Sequence, residues 1–199
     1  MDIEMRKAKR LSVKAGNLVI GGGAPISVQS MTNTDTHDYD ATYAQIKRLE
    51  SAGCDMIRLA VPDMDAVETI RKLKRSDVNI PLVADIHFDY KIAISCAEAG
   101  VDKIRINPGN IGSRERVAEV VSACREREIP IRIGVNSGSL ERELLHKYGS
   151  PTPEALAESA LGHVRILEDL NYDKIVISIK SSDVRAMIKA NRILHDTCP

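Results

Sequence analysis

Six short apolar runs rich in β-branched residues recur along the chain: Ile26–Met31, Met56–Val61, Leu82–Ile86, Lys103–Asn107, Ile129–Val135 and Lys174–Lys180. Between them the apolar spacing changes to every third or fourth residue, the buried stripe of a helix. Ala41–Ala52 reads as a helix ending at Gly53, and Asp89–Ala99 as one ending at Gly100. Asp65 is the candidate cap of a helix burying Val67, Ile70 and Leu73. Ser113 is that of a helix burying Val117, Val120, Val121 and Cys124. Pro153 suits the first turn of a helix running towards Leu170. Ser182 is the candidate cap of a last helix, with Val184, Met187 and Ile188 on one side. Upstream, Leu11–Val13 and Leu18–Ile20 read as a small hairpin turning at Gly16-Asn17.

Strand–helix alternation predicts a parallel sheet with right-handed crossovers. A (β/α) barrel and a doubly wound sheet both satisfy it. The first strand–helix junction carries no G-x-G-x-x-G, which disfavours a dinucleotide fold, and Gly21-Gly22-Gly23 precedes a strand instead of opening a helix. A complete barrel needs eight strands, and six are read here. The expected fold is therefore α/β: an incomplete TIM-type barrel over residues 25–199, with a hairpin in residues 1–24 capping its bottom.

Composition narrows the class. Aromatic residues are 3% of the 199, so the core must be aliphatic. Lys plus Arg and Asp plus Glu are 28 each, so bulk charge suggests no nucleic-acid or membrane partner. No run approaches the roughly 18 apolar residues of a membrane span, and Met1–Arg10 lacks the apolar stretch of a signal peptide. The four cysteines, Cys54, Cys96, Cys124 and Cys198, form no CxxC pair and fit a reducing cytoplasm. Cys54, Cys96 and Cys124 fall at helical positions and read as small core residues. No metal-ligand set is expected within the chain.

The chemistry lies in the alternation within each strand. A sheet covered by helices should turn an aliphatic set towards them. Ile57, Leu59 and Val61 form such a set in the second run, leaving Arg58 on the interior face. Ile104 and Ile106 leave Lys103, Arg105 and Asn107 inside. Ile131, Ile133 and Val135 leave Arg132, Gly134 and Asn136. Ile175, Ile177 and Ile179 leave Ser178 and Lys180. The third run turns Val83, Asp85 and His87 inwards, and the first Gln29 and Met31. One Arg–Asp pair inside a barrel would be ordinary structure. Arg58, Arg105, Arg132 and Lys180 against Asp85 alone leave a cationic surplus, and burying unpaired charge is costly. A phosphate or diphosphate ligand would balance it, and Arg suits bidentate phosphate contacts.

Barrel enzymes place catalytic groups at the C-terminal strand ends. Asp85 and His87 end the third run and share a face, which makes His87 a candidate for a direct role. Asn107 leads into Pro108-Gly109-Asn110-Ile111-Gly112, whose glycines would let backbone amides approach a ligand. Asn136, Ser137 and Ser139 follow the fifth run. Lys180, Ser181 and Ser182 lead into a helix N-terminus, a natural anion cradle. His37, His146, His163 and His195 read as surface residues.

Several of these stretches together resemble the 4-hydroxy-3-methylbut-2-enyl diphosphate synthases, iron–sulfur reductases of the non-mevalonate isoprenoid pathway. They are Pro25–Thr34, Ala52–Arg58, Val83–Phe88, Arg105–Gly112, Ile131–Leu140 and Ser178–Ser182. The resemblance runs through nearly the whole chain in order. It implies the substrate 2-C-methyl-D-erythritol 2,4-cyclodiphosphate, opened and reductively dehydroxylated by two electrons. The electrons would come from flavodoxin or ferredoxin through a [4Fe–4S] cluster. It implies that Arg58, Arg105, Arg132 and Lys180, with Ser182 and Gln29, bind the substrate, and that Asp85, His87, Asn107 and Asn136 orient its oxygens. The resemblance places the cluster ligands in a C-terminal domain, which with two further barrel strands is expected beyond Pro199, in a homodimer. None of the four cysteines has the matching context. This barrel portion alone is expected to be inactive. Two other functions fit the interior face: a non-catalytic diphosphate-binding module, and a dihydropteroate synthase-type barrel enzyme. The second would need stacking contacts that an aromatic-poor interior hardly offers.

Overall fold

The computed structural model describes residues 11–198. The reading of Met1–Arg10 as lacking a signal peptide lies outside the described residues. Two strands, β1 (Ser12–Ala15) and β2 (Leu18–Gly21), form an antiparallel hairpin with Ala15 opposite Leu18. Strands β3 (Gln29–Met31), β4 (Met56–Ala60), β5 (Leu82–Asp85), β6 (Lys103–Ile106), β7 (Ile131–Asn136) and β8 (Ile175–Lys180) follow. They make one six-stranded sheet in strictly sequential order, every pair parallel. The interleaved helices are α1 (Tyr39–Ser51), α2 (Met64–Arg75), α3 (Tyr90–Glu98), α4 (Pro108–Ile111), α5 (Arg114–Glu126), α6 (Arg142–Tyr148), α7 (Pro153–Glu168) and α8 (Val184–Thr197). This is the expected TIM-type half-barrel with its N-terminal hairpin.

The two sheet faces part as the alternation predicts. Ile57, Leu59, Leu82, Ala84, Ile104, Ile106, Ile131 and Ile133 join the helix stripes in one buried aliphatic core. On the other face, at the N-terminal strand ends, Met56 and Val83 meet Ala15, Leu18 and Ile20 of the hairpin in a separate small cluster. Gly16 at the hairpin turn has a φ of +58°, and a Cβ there would lie 2.7 Å from Asp102 Oδ1. Asp102 in turn accepts from Lys74 Nζ at 2.7 Å and from the Leu82 amide at 2.8 Å. The hairpin is thus seated on the β5 and β6 starts by a contact only glycine permits.

The structure corrects several boundaries. The first parallel strand shrinks from Ile26–Met31 to Gln29–Met31, because pairing begins only where β4 begins, at Gln29 opposite Met56. Ile26 is left 98% exposed. The cap expected at Asp65 is made by Asp63, which accepts from the Ala66 amide, and that expected at Ser182 by Asp183. In both cases an aspartate beside the expected residue sits in extended backbone and reaches an amide of the first turn. Ser113 holds the cap position of α5 without a side-chain capping bond. The short helix α4 falls where a loop was expected, and α6 is a further short helix ahead of α7. No helix among the described residues is long and apolar enough to cross a membrane.

Candidate functional site

The interior cluster is built from one side chain each on β4 to β7. Arg58 Nη2 lies 2.9 Å from Asp85 Oδ2, and Arg105 Nη1 donates to Asp85 Oδ1 at 3.1 Å. Asp85, 1% exposed, is therefore held by both neighbouring strands. Room for the Arg105 guanidinium comes from Gly134 across the β6–β7 pair: a Cβ there would fall 2.7 Å from Arg105 Nε. Arg132 Nε donates to Ser178 Oγ at 2.9 Å and has no carboxylate partner among the described residues. Burial, then the charges of Arg58 and Arg105, push the Arg132 pKa down; Asp85 opposes them. Arg58 Nε is buried without a hydrogen-bond partner. These guanidiniums face a shared space with one carboxylate between them, a setting that favours an anion over a further cation.

The fourth inward cation is not the expected one. Lys180, the last residue of β8, is exposed, whereas Lys103, the first of β6, is buried. Side-chain alternation placed both inside. Their heights on the sheet separate them: Lys103 is level with Val83 near the hairpin, and Lys180 with Asn136 at the rim. Gln29, the first residue of β3, accepts from Lys103 Nζ at 3.4 Å. The alternation marked Lys103 as inward, but the expected set of interior cations left it out.

At the rim, His87 is 52% exposed and its Nε2 stands 3.8 Å from Asp85 Oδ2, beyond hydrogen-bond distance. The two are neighbours but not a bonded pair. Asn107 and Asn136 use their side-chain oxygens locally, accepting from the Gly109 and Gly138 amides at 3.0 and 3.1 Å. Each keeps its amide NH2 for other partners. The amides of Asn110 and Ile111 bond back to the Asn107 carbonyl. The loop amides expected to cradle a ligand are thus spent on the α4 turn. After β8, Asp183 takes the Arg185 and Ala186 amides at 2.9 and 3.1 Å. A carboxylate already occupies the expected cradle, and Ser182 stands exposed beside it.

One histidine departs from its surface reading, and an exposed one, His37, is more engaged than that reading implied. His163 of α7 is 6% exposed, with Nε2 2.7 Å from Glu141 Oε1, and its ring underlies Gly109. His37 bridges two loops, with Nδ1 2.6 Å from Asp35 Oδ1 and Nε2 2.9 Å from Asp63 Oδ1. The Asp63 and then the Asp35 hydrogen bond raise its pKa. Two clefts, of about 540 and 510 Å³, lie by the hairpin and beside β8 and α8, away from the charged interior.

The described residues do not fit an iron–sulfur cluster. Cys54, Cys96 and Cys124 are buried singly, and burial pushes the Cys96 and Cys124 thiols up to about 12. No group of three or more His, Cys, Asp or Glu able to hold a metal occurs among the described residues.

The decisive comparison is with protein families: the GcpE TIM-barrel domain matches residues 10–199. The chain belongs to the GcpE TIM-barrel family. Its relatives include the 4-hydroxy-3-methylbut-2-en-1-yl diphosphate synthase (flavodoxin) of Clostridium perfringens. That protein is 60% identical over 189 residues, which cover 95% of this chain and 54% of the relative. The enzyme of the same name from Geobacter sulfurreducens is 60% identical over 188 residues, covering 94% and 53%. The chain spans about half the length of the curated relatives it matches. Among solved structures, Yersinia pestis dihydropteroate synthase superposes with a TM-score of 0.66 at 14% identity, covering 94% of this chain and 73% of that one. At that identity the likeness shows the barrel fold alone.

Proposed function

We propose that this GcpE barrel binds a small diphosphate in its interior, as the substrate-binding part of a 4-hydroxy-3-methylbut-2-en-1-yl diphosphate synthase. The observation that carries this reading is the inward set Arg58, Lys103, Arg105 and Arg132 with Asp85 as its one carboxylate among the described residues. In the reaction, 2-C-methyl-D-erythritol 2,4-cyclodiphosphate opens and loses a hydroxyl on taking two electrons. Flavodoxin is the electron donor suggested by the relatives' names. The [4Fe–4S] cluster implied by the resemblance finds no ligand set here, so the role of these residues is binding and orientation.

Arg132, unpaired, is the first contact for a phosphoryl group, with Arg58 and Arg105 beside it. Asp85 holds the last two guanidiniums in place, so that little order is lost when the anion arrives. The free amide groups of Asn107 and Asn136, with His87, lie at the strand ends where substrate oxygens would sit. Gln29, Lys180 and Ser182 complete the set at the floor and the rim. The hairpin closes the floor as a small subdomain.

The test is a calorimetric titration of the cyclic diphosphate into the chain, beside Arg132→Ala and Arg125→Ala. Arg125 lies on α5 and donates to the Leu170 and Asn171 carbonyls, outside the barrel. Loss of Arg132 should cost on the order of 1–3 kcal/mol, roughly 5- to 150-fold in Kd. Arg125→Ala should leave binding unchanged. Binding indifferent to Arg132 would sink the reading.

A further inference from the structure

One interior cation has no counter-charge at all. Lys103 is 3% exposed, and its ammonium reaches Gln29 Oε1 at 3.4 Å, a long contact to a neutral amide. The groups around it come from every neighbouring strand. Arg58 on β4 and Arg132 on β7 repel it. Asp85 on β5 is already engaged by Arg58 and by Arg105, which lies two residues along β6 from Lys103. Ser178 on β8 is a neutral hydroxyl bonded by Arg132. Below, Val83 and Met56 pack on Ala15, Leu18 and Ile20 of the hairpin, which bring no polar side chain.

An amine so placed is poised to lose its proton. Burial, followed by the fields of Arg132 and Arg58, brings the Lys103 pKa down to about 8. An anion among the arginines reverses the balance, because it cancels the repulsion and adds an attraction of its own.

We infer that Lys103 is a proton-gated member of the diphosphate site: anion binding draws a proton from solvent onto its amine, and anion release returns it. The inference rests on the interior diphosphate reading above. On binding an N–H bond forms on the amine as an O–H bond of solvent breaks, and release reverses both. At and above about pH 8 the floor thereby supplies an additional positive charge when the site is full and withdraws it when the site is empty. This eases the self-repulsion of the empty barrel without removing any arginine.

The experiment is carbon NMR on the chain labelled with [ε-13C]lysine, titrated in chloride buffer with and without saturating inorganic diphosphate. The Lys103 resonance is identified by its loss in Lys103→Met, or in Lys103→Gln should the first variant not fold. The free chain should titrate near pH 8 at this position. Diphosphate should move the midpoint up by about 1–3 pH units. A midpoint near the ordinary lysine value in the free chain overturns the inference. So does a midpoint that diphosphate leaves in place, although saturable binding lost in Arg132→Ala would then keep the site reading intact. Absence of any saturable binding overturns both.

Discussion

One sheet carries two faces of opposite chemistry. Towards the helices, Ile57, Leu59, Ile104, Ile106, Ile131 and Ile133 are buried in a continuous aliphatic core. Towards the interior, the same strands present Arg58, Lys103, Arg105 and Arg132 around Asp85. The outer face stabilises by removing apolar area from water, at about 25 cal/mol per Å². That term hardly responds to pH or to salt. The inner face is electrostatically unbalanced and responds to both. The contrast teaches that the fold keeps its stability on one side of the sheet and its charge imbalance on the other.

Asp85→Asn should break that contrast most. It removes the buried carboxylate shared by Arg58 and Arg105 and leaves two half-buried like charges side by side. Breaking such a pair costs about 3–5 kcal/mol. Urea unfolding should show this loss in chloride and its partial recovery in diphosphate, since a ligand that binds only the folded state stabilises it. A variant as stable as the parent would mean that solvent already screens the cluster.

Lys103→Met sharpens the comparison from the opposite side, by making one inward position resemble the outer face. The Lys103 amine has a folded pKa of about 8, below its ordinary 10.5. Between these values the unfolded chain holds more protons than the folded one, so stability rises with pH across that window. The rise should total on the order of 3 kcal/mol. Lys103→Met should flatten it and unfold at higher urea at pH 7. An unchanged slope would assign the pH response to other groups.

The third and smallest change alters shape without altering charge. Gly134→Ala places a methyl group 2.7 Å from Arg105 Nε and must displace that guanidinium. Because a flexible side chain is what gives way, the cost should be about 1–3 kcal/mol. It should appear in diphosphate affinity as much as in stability. Equal affinity in calorimetry would show that Arg105 serves Asp85 alone.

Much of this was legible in the chain. Isoleucines at alternate positions, as in Lys103-Ile104-Arg105-Ile106, mark the helix side and so expose the charged partners between them. The strand–helix order and the hairpin follow from the same pattern. Height on the sheet was not legible. Lys103 and Lys180 have the same side-chain direction, yet pairing with Val83 buries one and pairing with Asn136 exposes the other. Register depends on neighbouring strands, which a single run does not encode. His163 was missed for a related reason. Its partner Glu141 lies ahead of a different helix, and nothing in the local stripe of α7 announces the meeting. The glycine-rich turn after β6 differs in a third way, since Asn107 engages the amides of Gly109, Asn110 and Ile111.

The strictly sequential strand order has a consequence for synthesis. Each strand pairs with the one made just before it, so the sheet can grow in step with the ribosome. Arg58, Asp85 and Arg105 lie on three successive strands, and their ionic knot can close as soon as Ile106 has emerged. Arg132 arrives afterwards, on a strand that docks against an edge where Asp85 already holds two guanidiniums. Of the three interior arginines, the one without a carboxylate partner among the described residues is the one the nascent chain adds once the knot can already be tied.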